Sequence, residues 1–167
     1  FMDRKEHSEV LRALTEYLES LPSCEHDYIR VVTTGIIADS PELLDILCDN
    51  NIAIIDDQIA CESADFGTLT PVTGDPVLGM AQRIGLLEGC SVLYDPGKYR
   101  GTQLVEKARN ANADGIIWVI TKFCDIEEYD FVPVRRMIDK AGIPLLAVEV
   151  DRQMVNYEQI RSAVEAF

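Results

Sequence analysis

Hydrophobic and polar positions change period several times along the chain, which indicates helices and strands in alternation. Residues 3–20 have apolar positions at helical spacing. From residue 29 onward, short runs rich in Ile and Val alternate with stretches of helical period. The runs predict strands at 29–37, 52–57, 115–120 and 143–150. The stretches between and after them predict helices at 41–49, 76–87, 101–112, 132–140 and 156–167, and residues 91–94 fit either a short strand or an extended loop.

The predicted strands are nearly all apolar, and helices separate them. Strands of this kind are typical of a parallel sheet that is covered by helices on both faces. The pattern therefore predicts an α/β fold with a doubly wound, mostly parallel sheet, flavodoxin-like or Rossmann-like, and an extra N-terminal helix. Residues 1–28 are predicted to form a helical extension and residues 29–167 the α/β domain. The order of the strands stays open.

Charge and hydropathy narrow the range of partners and compartments. The formal net charge is −14 over 167 residues, which argues against nucleic acid because phosphates need compensating Lys and Arg. No apolar run reaches the roughly 18 residues that a membrane-spanning helix needs, and the first residues lack the apolar stretch of a secretion signal. We therefore expect a cytoplasmic protein without a membrane or nucleic-acid partner.

Five cysteines are the main candidates for metal or thiol chemistry. They lie at positions 24, 48, 61, 90 and 124, with no CxxC pair, so neither a disulfide framework nor a local metal site is expected. Cys24, Cys48 and Cys90 lie within or beside predicted helices and are expected to fill the core as small apolar residues. Cys61 and Cys124 instead follow predicted strands.

In an open parallel sheet, ligands bind in the loops that follow the strands. Lys122 lies next but one to Cys124, and a nearby cation favours the thiolate that binds metals. Cys124 is thus either an inert strand-end thiol or a thiolate ligand to iron. No glycine-rich phosphate loop is present, and Arg100, with Tyr94 and Tyr99, is expected in a solvated loop. The residues expected at this edge of the sheet are Asp39, Ser40, Asp56, Asp57, Cys61, Lys122, Cys124, Asp125, Asp151 and Arg152.

Several motifs in the second half of the chain occur in the order found in a known family. They are Lys122-Phe123-Cys124-Asp125 followed by Tyr129, Gly142-Ile143-Pro144 with Glu149 and Asp151, and Arg161 with Glu165-Ala166-Phe167. With Asp56, Asp57 and Cys61, this set resembles the C-terminal region of the 2-hydroxyacyl-CoA dehydratase family, which includes benzoyl-CoA reductase subunits.

The resemblance implies a chemistry and a set of partners. Family members bind a [4Fe–4S] cluster and remove water from (R)-2-hydroxyacyl-CoA through a ketyl radical, after an ATP-hydrolysing iron–sulfur activator supplies one electron. It implies that Cys124 is a cluster ligand and that two further ligands come from an N-terminal domain. Cys61 matches a family cysteine position and is the weaker candidate for cofactor binding. The glycine and arginine that commonly follow that cysteine are absent here. A homologous subunit would complete a heterodimer.

On this interpretation the chain is the C-terminal domain of a larger subunit and is inactive alone. Two alternatives stay open. One is a subunit of the benzoyl-CoA reductase type, since no motif reveals the pocket that selects the acyl group. The other is a non-catalytic interaction module on the same sheet, which would have no need of Cys124.

Overall fold

The computed structural model describes residues 2–22, 27–90 and 95–167. Cys24, Tyr94 and the segment predicted as strand or loop at 91–94 lie outside these residues. The strands are β1 (Ile29–Gly35), β2 (Ile52–Ile59), β3 (Gly115–Thr121) and β4 (Leu145–Val150). The helices are α1 (Arg4–Ser20), α2 (Pro41–Asp49), α3 (Ser63–Phe66), α4 (Pro76–Gly85), α5 (Tyr99–Asn110), α6 (Asp125–Ala141) and α7 (Glu158–Glu165).

The described residues form a four-stranded sheet in the order β2-β1-β3-β4. Every strand pair is parallel, which confirms the predicted doubly wound α/β fold. The order matches the first four strands of a flavodoxin-like sheet, in which the chain reverses direction across the sheet between β1 and β3. Gly35 ends β1 opposite Val119 of β3. The crevice at this reversal lies beyond the carboxyl ends of these two strands.

Two apolar layers cover the two faces of the sheet. On one face, Val31 and Ile117 pack with Leu43 of α2 and Ile160 of α7. On the other face, Trp118 packs with side chains of α5 and α6, which include Leu104, Val134 and Ile138. Successive residues of a strand point to opposite faces, so the uninterrupted apolar run of β3 supplies both layers.

The sequence prediction was wrong about the start of α6 and the end of β2. The helix begins at Asp125 and passes through Pro133, whereas the helix was predicted over 132–140. Acidic residues in the first turn favour the observed start, because the helix dipole is positive there. Strand β2 continues to Ile59, two residues beyond its predicted end, so Asp56 and Asp57 lie inside the strand and not at its carboxyl end.

Helix α1 confirms the helix predicted near the N-terminus, and it buries none of its residues. Its large apolar side chains are 49–60% exposed and include Val10, Leu14 and Leu18. The division into an extension (1–28) and a domain (29–167) stays a prediction. Among the helices of the described residues, none has both the length and the hydropathy to cross a bilayer.

Candidate functional site

A cleft of about 510 Å³ lies at the carboxyl edge of the sheet, beside the reversal between β1 and β3. Its walls come from the loop between β1 and α2, the ends of β3 and β4, and the segment that leads into α7. Ser40 forms its rim: Ser40 Oγ lies 2.9 Å from Tyr157 Oη and accepts a hydrogen bond from Leu43 N at 3.4 Å. Ser40 thereby caps α2 and joins it to the start of α7.

The cleft combines an apolar wall with a mostly acidic rim. Val119 and Met154 contribute to the wall. Of the residues predicted at the sheet edge, Asp39, Ser40, Asp151 and Arg152 line this cleft. Apolar walls with a few fixed polar groups are typical of small-molecule sites, so the cleft can hold an apolar group and orient it through polar contacts.

Asp56 and Asp57 are not part of the cleft, contrary to the sequence prediction. Asp56 Oδ1 accepts a hydrogen bond from Lys107 Nζ at 2.8 Å. Asp57 Oδ1 accepts from Ile59 N at 3.0 Å and Ser63 N at 3.3 Å. Asp57 therefore stabilises the turn that follows β2, whereas Asp56 joins β2 to α5.

Cys124 lies between β3 and α6, at the N-cap position of α6. Its thiol is half-buried, and among the described residues it makes no capping hydrogen bond. Two backbone hydrogen bonds involve this residue: Cys124 N donates to Thr121 O at 3.1 Å, and Cys124 O accepts from Glu128 N at 3.1 Å. Its side chain is thus available for other contacts at the start of α6.

Phe123, the residue before Cys124, has an unusual backbone conformation. Its φ is +63°, in the left-handed region that bulky residues rarely adopt. Its side chain is 88% exposed, so apolar packing does not account for this conformation. The turn from Thr121 to Cys124 is therefore strained and must be held by other contacts.

Cys61 follows β2 at the same edge of the sheet and is exposed. Cys61 N donates to Ile36 O at 3.1 Å, which fixes its loop beside the end of β1. Strand β1 lies between β2 and β3, so the two strands that precede Cys61 and Cys124 are about 10 Å apart. Within the described residues, no three His, Cys, Asp or Glu side chains lie close enough to hold a metal ion.

Two other cysteines differ from the expectation that they fill the core. Cys48 of α2 is exposed, and Cys90 is half-buried. Helix α2 buries Leu43, Ile46 and Leu47, so Cys48 lies outside the buried stripe of this helix. Neither residue lies after a strand at the carboxyl edge.

A buried ionic cluster beneath the Cys124 turn was not predicted from the sequence. Arg100 and Glu127 are 2% and 0% exposed, and Arg100 Nη2 donates to Glu127 Oε1 at 3.3 Å. Glu127 also accepts from Trp118 Nε1 at 3.1 Å and from Thr121 N at 3.0 Å. The expectation that Arg100 lies in a solvated loop was wrong: it belongs to α5 and also donates to Thr34 Oγ1 at 2.9 Å.

One signal in the sequence could have indicated this cluster. Trp118 occurs in the middle of an apolar strand, and a buried indole N–H usually finds an acceptor. An acidic side chain nearby should therefore have been expected inside the domain. Burial lowers the pKa of Arg100 below its ordinary value, and the charge of Glu127 opposes this shift. The guanidinium carbon lies 4.5 Å from the centre of the Trp118 ring, a cation–π geometry.

Carboxylates gather beside the cleft around Glu62. Partial burial, followed by the charges of Asp57 and Asp39, raises the pKa of Glu62, and a hydrogen bond from the backbone of Ala38 opposes this shift. The folded chain thus holds the Glu62 proton more tightly than the unfolded chain does.

Glu62→Gln should make the chain more stable at neutral pH, because it removes the cost of ionising this carboxyl in the folded state. Both states bind the proton below the ordinary glutamate pKa of about 4.3, so the advantage should vanish there. The stability advantage of Glu62→Gln should grow as the pH rises from the ordinary pKa of glutamate to the raised pKa of Glu62. The measurement is the urea midpoint of both proteins between pH 4 and pH 8.

The exposed Glu9 of α1 provides the control for this prediction. Glu9→Gln should shift the midpoint much less over the same pH range. An advantage of Glu62→Gln that is as large at pH 4 as at pH 8 would contradict the electrostatic explanation.

The fold and the edge thiol together define a class: a parallel α/β domain with its candidate site at the carboxyl ends of its strands. The family model described as 2-hydroxyglutaryl-CoA dehydratase, D-component, matches residues 1–167. The chain belongs to this family. The resemblance inferred from the motifs around Cys124 is thereby confirmed.

Three curated proteins show the range of relatives. The chain is 48% identical to the (R)-phenyllactyl-CoA dehydratase beta subunit of Clostridium sporogenes over 167 residues. It is 34% identical to the lactoyl-CoA dehydratase subunit beta of Anaerotignum propionicum. It is 30% identical to the (R)-2-hydroxyglutaryl-CoA dehydratase subunit beta of Acidaminococcus fermentans. Each match covers the whole chain but only 44 to 45% of the relative.

Proposed function

We propose that the chain is one domain of a beta-type subunit of a 2-hydroxyacyl-CoA dehydratase. The family match and the three dehydratase relatives support this proposal. The subunit would act with a homologous alpha-type subunit, and an ATP-hydrolysing iron–sulfur activator would supply its electron. The substrate would be an (R)-2-hydroxyacyl-CoA thioester. Since the relative at 48% identity is named for phenyllactyl-CoA, that thioester is the first substrate to test.

The observation that carries the proposal is the position of the Cys124 thiol. It is half-buried at the carboxyl edge of the sheet, and its sulfur is not engaged in capping α6. We propose that Cys124 contributes one thiolate to a [4Fe–4S] cluster, for which Cys thiolates are the usual ligands. When bound, such a cluster would supply the one-electron chemistry by which water leaves the substrate through a ketyl radical.

The described residues fit one ligand position of a cluster but not a complete set. No group of three ligating side chains occurs among them, and Cys61 follows a strand that β1 separates from β3. The other ligands would come from the rest of the subunit, which in the relatives is more than half of the chain. We therefore propose that this chain alone is inactive, and that Cys61 lies near the cluster without bonding to iron.

Cys124→Ala should abolish the cluster in the complete subunit, because a buried cubane that loses one thiolate leaves an iron unsatisfied. The measurement is the iron and sulfide content, with the visible spectrum, of anaerobically purified protein. The unsubstituted subunit should contain the cluster. The variant should contain little iron while its circular dichroism stays the same.

Cys48→Ala is the matched control, since Cys48 is exposed on α2 and lies away from the carboxyl edge. It should keep the full cluster, and so should Cys61→Ala. A folded subunit without iron would favour the non-catalytic interaction module. A cluster that survives in Cys124→Ala would refute the ligand role.

Activity tests the substrate proposal separately. The complete subunit, combined with its alpha-type partner and the activator, should dehydrate (R)-phenyllactyl-CoA under anaerobic conditions. The relatives described above are all named dehydratases, so the dehydratase is preferred to the benzoyl-CoA reductase type. Reduction of an aromatic thioester without dehydration of a hydroxyacyl thioester would reverse that preference.

A further inference from the structure

The turn that carries Cys124 lacks an obvious source of rigidity of its own. Phe123 has a left-handed backbone and an exposed side chain, so neither conformational preference nor packing stabilises this conformation. Within the turn, Cys124 N donates to Thr121 O at 3.1 Å. A single hydrogen bond of this kind contributes little net stability. Some other group must therefore hold the thiol in place.

Glu127 is that group, because it connects both ends of the turn. It lies one helical turn after Cys124, at the third position of α6, and its Oε2 accepts from Thr121 N at 3.0 Å. Glutamate at this position of a helix often bonds back to a preceding backbone N–H. Here it bonds beyond Cys124 to the last residue of β3, so its carboxylate spans the whole turn.

Arg100 fixes the other oxygen of this carboxylate. Glu127 Oε1 accepts from Arg100 Nη2 at 3.3 Å and from Trp118 Nε1 at 3.1 Å. Arg100 is itself held by Thr34 Oγ1 at 2.9 Å and by the Trp118 ring. Apolar residues could fill this volume at no less stability, since buried ion pairs are poor stabilisers. The location of the pair under the turn that carries Cys124 therefore indicates a positional role.

We propose that Arg100 and Glu127 are positioning residues that fix the thiol of Cys124. Among the described residues, neither side chain has a hydrogen bond to the thiol. They hold the backbone of the turn so that the sulfur keeps one direction and one degree of exposure. That the positioned thiol then binds a cluster rests on the proposed function, whereas the positioning itself does not.

The test measures how fast the Cys124 thiol reacts with iodoacetamide in the complete subunit without iron. Peptide mass spectrometry gives the rate for each cysteine separately. Glu127→Gln keeps the shape of the side chain, but an amide has one acceptor oxygen where the carboxylate has two. The variant side chain must lose either the hydrogen bond from Thr121 N or the hydrogen bonds from Arg100 and Trp118. The alkylation rate of Cys124 should rise about tenfold, which corresponds to about 1.4 kcal/mol of easier local opening. Cys48 and Cys61 in the same protein should react at unchanged rates.

Asp130→Asn is the matched control for a merely structural effect. Asp130 also lies on α6, is nearly buried, and forms an ion pair with Lys98 at the start of α5. Its charge acts on Arg100, but among the described residues it has no hydrogen bond to the turn that carries Cys124. The Cys124 rate should therefore stay unchanged in this variant. An equal rise in both variants, or no rise in Glu127→Gln, would overturn the proposal.

A second variant and a separate measurement of iron content complete the test. Should Glu127→Gln fail to fold, Arg100→Lys replaces it, because lysine keeps the charge but loses the planar fork and the stacking on Trp118. The Cys124 rate should rise in that variant too. The cluster is measured separately: Glu127→Gln should lower the iron content after reconstitution. If Cys124→Ala still binds iron, the ligand role fails, while the alkylation result continues to decide the positioning role.

Discussion

Replacing Gly35 with alanine is expected to lower the free energy of unfolding by about 2 to 5 kcal/mol. A Cβ at this position would lie 2.3 Å from the backbone oxygen of Val119, and no side-chain movement can relieve an overlap with backbone. The φ of Gly35 is +152°, which also disfavours other residues. Strands β1 and β3 would have to separate at their carboxyl ends. Urea unfolding followed by circular dichroism measures the loss.

Two other glycines separate the causes of this effect. Gly142 has a φ of +72° but no described atom within 4 Å of an added Cβ, so Gly142→Ala tests backbone strain alone. It should cost about 1 to 2 kcal/mol. Gly74 has neither a positive φ nor a close neighbour, and Gly74→Ala should change stability by less than about 0.5 kcal/mol. If Gly35→Ala cost no more than Gly142→Ala, the close approach of the two strands would be unimportant.

The position of Gly35 shows how far the sequence predicts the site. The apolar runs predicted a parallel sheet, and a parallel sheet predicts a ligand edge. The edge residues Asp39, Ser40, Asp151 and Arg152 were found by this reasoning alone. The strand order could not be found in this way, because apolar runs do not encode neighbours. Only the order β2-β1-β3-β4 shows that Gly35 faces Val119 at the reversal.

The sequence prediction failed where polar residues act against their usual preferences. Helix α6 was predicted to begin only at residue 132, so Glu127 was expected outside it. Arg100 was expected in solvent, since charged residues are rarely buried. These two residues contact each other inside the domain, 27 positions apart. Such a contact depends on the packing of α5 against α6, and no local pattern in either segment reveals it.

Arg100→Met is the second substitution with a large expected effect on stability. It should lower the free energy of unfolding by about 3 to 5 kcal/mol, because it leaves the Glu127 carboxylate buried without its cation. The methionine fills much of the volume of the arginine side chain. The loss in the free energy of unfolding therefore comes more from the missing charge than from a cavity. Adding Glu127→Gln to this variant should restore part of the loss, since the uncompensated charge is gone. Urea unfolding of the two single variants and the double variant gives the coupling energy.

Arg161→Met is the control, because it removes the cation of an ion pair that has the same N–O distance but is exposed to solvent. Arg161 Nη1 lies 3.3 Å from Asp49 Oδ2, the same separation as in the pair of Arg100 and Glu127. The side chains of this second pair are 39% and 62% exposed, so its loss should cost at most about 1 kcal/mol. Equal costs for the two substitutions would mean that the buried carboxylate is stabilised by Trp118 and Thr121 without Arg100. A much larger cost for Arg100→Met would show that the buried side chain of Glu127 depends on the guanidinium for its place beneath the Cys124 turn.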